Sequence, residues 1–301
     1  MNTYLASMEL ARSFVLSSAR PLEKARWLVA FEGGKRPAIV GELARFQNAD
    51  GGFGKAIEPD IRASGSSAIG LATALQILRE ARPIWNEEVC RRMIERAAAW
   101  VCREMDQGSL SWRAVPDDLN AADHAPWWQP ISAKDCLDNP RPEVLAFALD
   151  HAWAFDQHWT EALRASVFDR WDQVPESMEM HTFLSYASLL QSPLTEAERL
   201  NLIEKLARAA SQIVNTDPAS WTGYVMRPAD AFPRPTQGLS EPFREGIRAD
   251  FDQRIGEQKE DGSWRPTWDW EGESWSAAER EWAGVLTFQT VLRMRDHGLI
   301  G

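Results

Sequence analysis

Leu71, Leu75 and Leu78 fall at i, i+4 and i+7, and so do Leu145, Leu149 and Ala152. Side chains three and four apart stand over one another on a helix, so each set predicts one apolar helical face. Leu202, Ile203, Leu206, Ala210 and Ile213 form a third stripe. Two capping boxes are expected, Thr195 with Glu198 and Ser276 with Glu279, the second ahead of Trp282, Val285, Leu286 and Leu292. No run of Val, Ile and Thr alternates strictly with polar residues, as a half-buried strand requires. The pattern predicts an all-α chain with helices over 3–18, 22–32, 37–47, 65–81, 87–105, 142–157, 160–172, 178–191, 195–214, 241–258 and 275–296.

Two connections are long. Asp106 to Arg141 carries Pro116, Pro126, Pro130, Pro140, Trp112, Trp127 and Trp128, and Asn215 to Ser240 carries Pro218, Pro228, Pro233, Pro235 and Trp221. Long ordered loops in a compact domain either serve function or cover helix ends.

A repeat links distant parts of the chain. Gln47-Asn-Ala-Asp50-Gly-Gly-Phe53 matches Gln258-Lys-Glu-Asp261-Gly-Ser-Trp264, each between two predicted helices. Weaker echoes end at Trp112 and Trp221. The aromatic positions 53, 112, 221 and 264 are 59, 109 and 43 residues apart, so a unit of roughly 50 residues recurs, which suits one helix pair per unit. Helix pairs either stack as an open solenoid or close into a ring. The two clearest copies lie far apart in sequence, which favours a closed α/α toroid, one domain over residues 1–301.

Composition narrows the partners. The 301 residues are 44% hydrophobic and 26% charged, enough for one large core or two small ones. A net charge of −11, from 44 acids and 33 bases with no clustered basic face, argues against nucleic acid and against a simple anionic-membrane anchor. No apolar run approaches a membrane span. The segment MNTYLASMELARSFVLSS is interrupted by Glu9 and Arg12 and does not read as a signal peptide. Cys90, Cys102 and Cys136 form no Cys-x-x-Cys pair and read as reduced thiols of a cytoplasmic protein. Fifteen tryptophans serve either a helical core or an aromatic-lined cavity. Oligomeric state leaves no trace in the sequence.

The stretch FQNADGGFGKAIEPD, 46–60, is not a phosphate loop: it lacks Gly-Lys-Ser/Thr and follows no strand. It is not an EF-hand either, because Phe46 sits where an acid is needed and Lys259 takes a ligand position in the second copy. A structural turn remains: glycine lets the chain leave a helix sharply, Asp50 bonds local amides and Phe53 packs over the turn.

Gln-x-x-Asp-Gly-Gly-Phe and Gln-x-x-Asp-Gly-Ser-Trp resemble the QW-type repeat of squalene–hopene cyclases and protein prenyltransferase β subunits. The chain is similar to that terpenoid cyclase/prenyltransferase α/α-toroid superfamily, and more so to uncharacterised bacterial prenyltransferase-like proteins sharing the FQN-DGGFG-EPD stretch and a Trp-rich C-terminus. The resemblance covers 46–78 and 257–292 and implies fold more than function. The Asp-x-Asp-Asp of a class II cyclase is missing; Asp250-Phe-Asp252-Gln is the nearest run. Asp135-Cys136 lacks the spacing of a prenyltransferase zinc site. Asp117-Asp118, then Asp123, resembles the first aspartate-rich motif of chain-elongating prenyl synthases, which binds Mg²⁺ and diphosphate from a helix, but it follows Pro116 in a loop. Neither metal nor cofactor is expected.

Among carboxylates, Glu58 or Asp60, held by the intervening Pro59, would place a general acid at a cavity mouth; alternatively Asp60 caps or pairs with a neighbouring loop. Trp268, Trp270, Trp275 and Trp282, with Glu281 as a further acid, form the densest aromatic cluster and would either line a cavity or plug it. Trp127 and Trp128 extend that wall, and His124 and His181 are the best imidazoles, His181 also fitting a hydrogen-bonded core position. The expected function is a terpenoid-cyclase/prenyltransferase-like protein binding a small apolar, isoprenoid-type ligand in a central tryptophan-lined cavity, with acid-catalysed cyclisation as its chemistry. The alternatives are a carbohydrate-active α/α toroid and a non-catalytic binding or scaffold protein.

Overall fold

The computed structural model describes residues 3–300. Among these residues there are twelve α-helices, short 3-10 turns, isolated antiparallel bridges and no named strand. The chain is all-α. It divides into two compact units, Arg36–Leu202 and the pair Met1–Lys35 with Ile203–Gly301.

Arg36–Leu202 holds α3 (Pro37–Leu43), α4 (Ala68–Glu80), α5 (Glu88–Glu104), α6 (Arg141–Asp150), α7 (Gln157–Gln173) and α8 (Met180–Ser188), and includes the start of α9 (Glu196–Ile213). Helix α5 is amphipathic: Cys90, Met93, Ile94, Ala97, Ala98 and Val101 are buried at helical spacing. Helix α6 is buried almost all round and packs on α4, α7 and α8, which makes it the centre of this unit. At its start the 2%-exposed Arg141 donates to the carbonyls of Leu137, Ser109 and Ser166 and to Ser166 Oγ, which offsets the cost of burying its charge. The Thr195–Glu198 capping box forms as expected, with Thr195 N donating to Glu198 Oε2 at 2.8 Å and Glu198 N to Thr195 Oγ1 at 3.3 Å.

The other unit holds α1 (Thr3–Ser18), α2 (Pro21–Phe31), the remainder of α9, α10 (Pro228–Ala231), α11 (Arg244–Glu257) and α12 (Trp275–Asp296). Helices α1, α2 and α12 pack mutually, and α1 also meets α11. Short α10, absent from the expected elements, starts with Pro228 in its first turn and is held by side chains of α11 and α12. The Ser276–Glu279 box does not form. Helix α12 begins at Trp275, as its expected span has it, after the turn closed by Trp275 N to Gly272 O, so Ser276 lies inside the first turn rather than capping it and accepts from Arg280. The stripe Leu145, Leu149, Ala152 is also cut, because His151 (φ −126°, ψ 42°) takes the chain out of α6 and Ala152 falls in a 3-10 turn.

The two matching heptads fold into the same object. In each, the amide at the second position bonds the carbonyl at the sixth, 2.8 Å for Asn48 to Gly52 and 2.9 Å for Lys259 to Ser263. The Asp50 and Asp261 carboxylates accept the backbone amide two residues on, at 3.0 and 2.9 Å. The glutamine reaches across the turn and onto a helix. Gln47 Nε2 donates to Gly51 O and to Met93 O of α5, and Gln258 Nε2 to Gly262 O and to Ser7 O of α1. Three residues further along each seat helix, the glycine presses on a carbonyl: a Cβ at Gly51 would lie 2.2 Å from Arg96 O, and one at Gly262 2.2 Å from Leu10 O. Trp264 Nε1 also bonds back to Arg254 O near the end of α11, as the weaker echo Trp112 does to Val101 O in α5. Asp50 and Asp261 are thus turn residues. Asp261→Ala is expected to cost about 1 kcal/mol, the worth of a lost cap, read as a lower urea midpoint at unchanged slope. Unchanged stability would refute the role.

Candidate functional site

The sequence-predicted residues gather in two places, one in each unit. In the unit holding α12, Trp268 packs edge-on against Trp282 (centroids 5.2 Å, 84°) and against Tyr224 (5.5 Å, 84°). The 215–240 loop thus touches the 268–282 segment at Tyr224. Trp270 and Trp275 form a separate pair at 5.7 Å, with Trp270 buried over Gly272. The Trp282 Nε1 atom is buried without a hydrogen-bond partner. Glu281 lies 3.9 Å from Arg20, which forks onto the fully buried Glu23.

In the unit centred on α6, the segment carrying Glu58 and Asp60 runs beside the 123–125 segment. Ala125 N bonds Asp60 O at 2.9 Å, Arg62 N bonds Asp123 O at 3.0 Å, and Ile61 bridges His124. Asp60 is buried, Glu58 half-buried, and both have partners. His124 Nδ1 lies 3.1 Å from Ala122 O. Trp128 packs against the buried cluster that includes Ile61, Ala63, Ile69 and Leu119, its Nε1 buried without a partner, while Trp127 is 47% exposed. The Asp117–Asp118–Asp123 run works as a loop clamp. Asp118 accepts Gly65 N and Ser64 Oγ, Asp117 pairs with Arg113, and Asp123 contributes its backbone oxygen. Among the described residues no group of three His, Cys, Asp or Glu side chains is placed to hold a metal ion. His181 does not take the core position that its apolar surroundings in sequence allowed. It stands half-exposed at the start of α8, its Nδ1 2.6 Å from Glu179 Oε1, because Glu179 caps that helix and holds the ring outward.

A third place was not anticipated. A cavity of about 10 Å³, room for one water, opens between α4 and α6 and is lined by Leu75, Gln76, Arg79, Glu143, Phe147, Asp150, His151 and others. Glu143 and Asp150 stand seven residues apart on one face of α6, and Gln76 and Arg79 three apart on α4. Arg79 Nε bonds Asp150 Oδ2 at 2.9 Å, and its other nitrogens bond Ser188 O and Ser192 Oγ. Arg82 takes the other Asp150 oxygen at 3.1 Å. Gln76 Nε2 donates to Glu143 Oε1 at 2.6 Å. Desolvation pushes the Glu143 carboxyl above its usual range, although part of the residue still reaches solvent; the Gln76 bond and the charges of Arg79 and His181 oppose that rise.

His151 is 2% exposed and boxed by Trp85 at 4.2 Å and Phe147 at 4.8 Å, and its Nδ1 is buried with no partner. Burial, then the charges of Arg79 and Arg82, push its pKa down to about 3. Its neutral form is therefore the folded form. The stabilisation is complete above the unfolded value of about 6.5 and is lost as pH falls toward 3, because the unfolded chain takes up the proton first. Between pH 6.5 and 5 the protein is expected to lose about 2 kcal/mol through this group, and His151→Phe should flatten that slope in urea titrations. A wild-type slope unchanged by the substitution would refute it.

The first place owes its legibility to tryptophan spacing. The third had only the Glu143/Asp150 and Gln76/Arg79 spacings to announce it. No family model, no curated protein and no solved structure matches this chain.

Proposed function

We propose that this chain is a ligand-binding protein of the terpenoid-cyclase-like helical-repeat class, that its ligand is apolar and oxygen-bearing, of isoprenoid type, and that Tyr224, Trp268 and Trp282 receive it. The observation that carries the reading is the aromatic corner with its unpartnered Trp282 N–H. Perpendicular rings offer apolar area to a hydrocarbon chain, and a buried N–H without an acceptor costs energy that an oxygen-bearing head group would recover. The duplicated turn supports the class. The acids favour binding over cyclisation. Protonating an alkene needs a shielded, protonated carboxyl, whereas Glu281 lies beside Arg20 and Asp250 is gripped by Arg227 and Arg254.

Farnesol and farnesyl diphosphate are expected to raise the thermal midpoint and quench tryptophan fluorescence. Trp282→Phe keeps a ring and removes the N–H, and should weaken farnesol binding roughly fivefold, the value of one hydrogen bond. No shift with either isoprenoid, together with one by oligosaccharides, would replace this reading with the carbohydrate-active one.

A further inference from the structure

Residues 3–35 pack with 203–301 as one compact unit, yet the whole of Arg36–Leu202 intervenes between them in sequence. Helices α1 and α2 both lie on α12, and α1 also on α11. The contacts are specific. Ser7 exchanges two hydrogen bonds with Gln258, Oγ to Oε1 at 2.6 Å and Nε2 to O at 3.0 Å, and Tyr4 donates to Asp252. Arg26 lies 4.4 Å over the Phe288 ring, and Arg295 Nη1 donates to Ala30 O. The covalent junction to Arg36–Leu202 is loosely held by comparison. Helix α2 is closed by Glu32 N and Gly34 N on Leu28 O, with Gly33 at φ 69°. Arg36 O then accepts Ile39 N at the start of α3. Between these bonds the Lys35 amide and the Gly34 and Lys35 carbonyls make no backbone hydrogen bond, and Lys35 and Arg36 are exposed. Rotation about Gly34 ψ and the Lys35 dihedrals breaks none of the bonds on either side.

We propose that residues 3–35 form an exchangeable arm whose second partner is the 203–301 part of another copy of this chain, giving a reciprocally swapped dimer. Every contact between arm and α11 or α12 is then kept, made between chains instead of within one. What changes is the junction and the loss of freedom on association, which a higher concentration offsets. The occupant is selected by the contacts themselves, since Gln258, Gly262 and Asp252 already fit α1 of this sequence. The order of synthesis favours exchange, because α1 is complete long before its own α11 and α12, and a finished neighbour can offer them first. The proposal does not depend on the aromatic corner.

The test uses two full-length chains, one with Ala19→Cys and one with Gly284→Cys, both with the exposed Cys102 changed to serine. A Cβ at Gly284 would stand 2.9 Å from the Ala19 Cβ, so a small separation gives disulfide geometry. The chains are unfolded in urea, mixed, refolded together and treated with oxidised glutathione. The expected result is a covalent heterodimer on a non-reducing gel, its share rising at least about tenfold when the refolding concentration is raised a hundredfold. Ala19→Cys with Gly284→Cys in a single chain, refolded dilute, should close the bond within the monomer. If that bond closes and the mixed chains never cross-link, the proposal falls. Light scattering on the natural chain and two junction variants reads the same question without cysteines. Deleting Gly34 and Lys35 should favour the dimer, and inserting Gly-Ser-Gly-Ser after Lys35 should favour the monomer. Monomer from all three at every concentration overturns the proposal. So does a dimer indifferent to junction length, which would be a surface contact without exchange.

Discussion

Asp250→Ala is expected to remove roughly 3–5 kcal/mol of stability, the cost of stranding buried charge by deleting its partner. Asp250 is fully buried on α11. Its Oδ1 accepts Arg227 Nε at 2.8 Å and Arg254 Nε at 2.7 Å, and its Oδ2 accepts Ala229 N at 2.9 Å in the first turn of α10. Arg254 continues to Asp230, which also pairs with Arg293 of α12, and Arg227 continues to Glu257. The network joins α10, α11 and α12, and the two guanidiniums beside the half-buried Asp230 hold its carboxyl below the usual range against the desolvation that would raise it. Alanine would leave Arg227, itself 7% exposed, with Glu257 as its remaining carboxylate partner and would orphan the amide of Ala229. The thermal midpoint of Asp250→Ala, measured beside the double variant Asp250→Leu with Arg227→Met, decides the matter. The double variant should recover the share of the loss that comes from stranding Arg227, while the Ala229 amide and Arg254 still lack Asp250. A single-variant loss below 1 kcal/mol would show that water reaches the cluster.

Gly262→Ala and Gly51→Ala are the second pair of large effects, each expected to cost at least about 3 kcal/mol through strain and overpacking together. Both glycines have positive φ, 89° and 99°, which L side chains avoid. In both, the added methyl would meet a helix carbonyl at 2.2 Å. A helix carbonyl is not a flexible side chain that swings away, so the turn must lift off its seat and the glutamine bonds go with it. Gly256→Ala is the control: it lies late in α11 with no atom within 4 Å of its would-be Cβ and should be neutral or slightly stabilising. Chemical denaturation of the three variants makes the comparison. A loss under 1 kcal/mol at Gly262 would mean that the turn does not depend on its close approach to α1.

The contrast between what the sequence announced and what it concealed is physical. Helices α1, α5, α9 and α12 lie within a residue or so of their expected spans because each carries either a sustained 3.6-residue pattern or strong end signals. The heptad turns were legible because every determinant is local except the seat, and the seat needs only a carbonyl, which any residue supplies. The α4–α6 cavity was not. Asp150 acquires its state from Arg79 and Arg82, 71 and 68 residues away, and His151 acquires its burial from a helix end that the leucine stripe overran. Likewise nothing in the Asp250 segment announces its burial, because Arg227, which pairs with it there, comes from a loop 23 residues upstream. Charges bought into an interior by distant partners leave no periodic mark on their own segment.

The seat of the second heptad turn has a consequence during synthesis. Gln258 is anchored by Ser7, 251 residues earlier in the chain. The first turn, by contrast, is anchored by Met93, only 46 residues from Gln47. At ribosomal rates of about 5–20 residues per second, Met93 is made roughly 2–9 seconds after Gln47, whereas Ser7 waits roughly 13–50 seconds for Gln258. Through that interval α1 has neither α11 nor α12 to cover Tyr4, Ala11, Phe14 and Val15, all of them buried in the finished fold. Meanwhile the nascent chain carries α1 with α2 as its neighbour and part of its apolar face open, a surface a holding chaperone can cover until the second turn returns to a helix made long before.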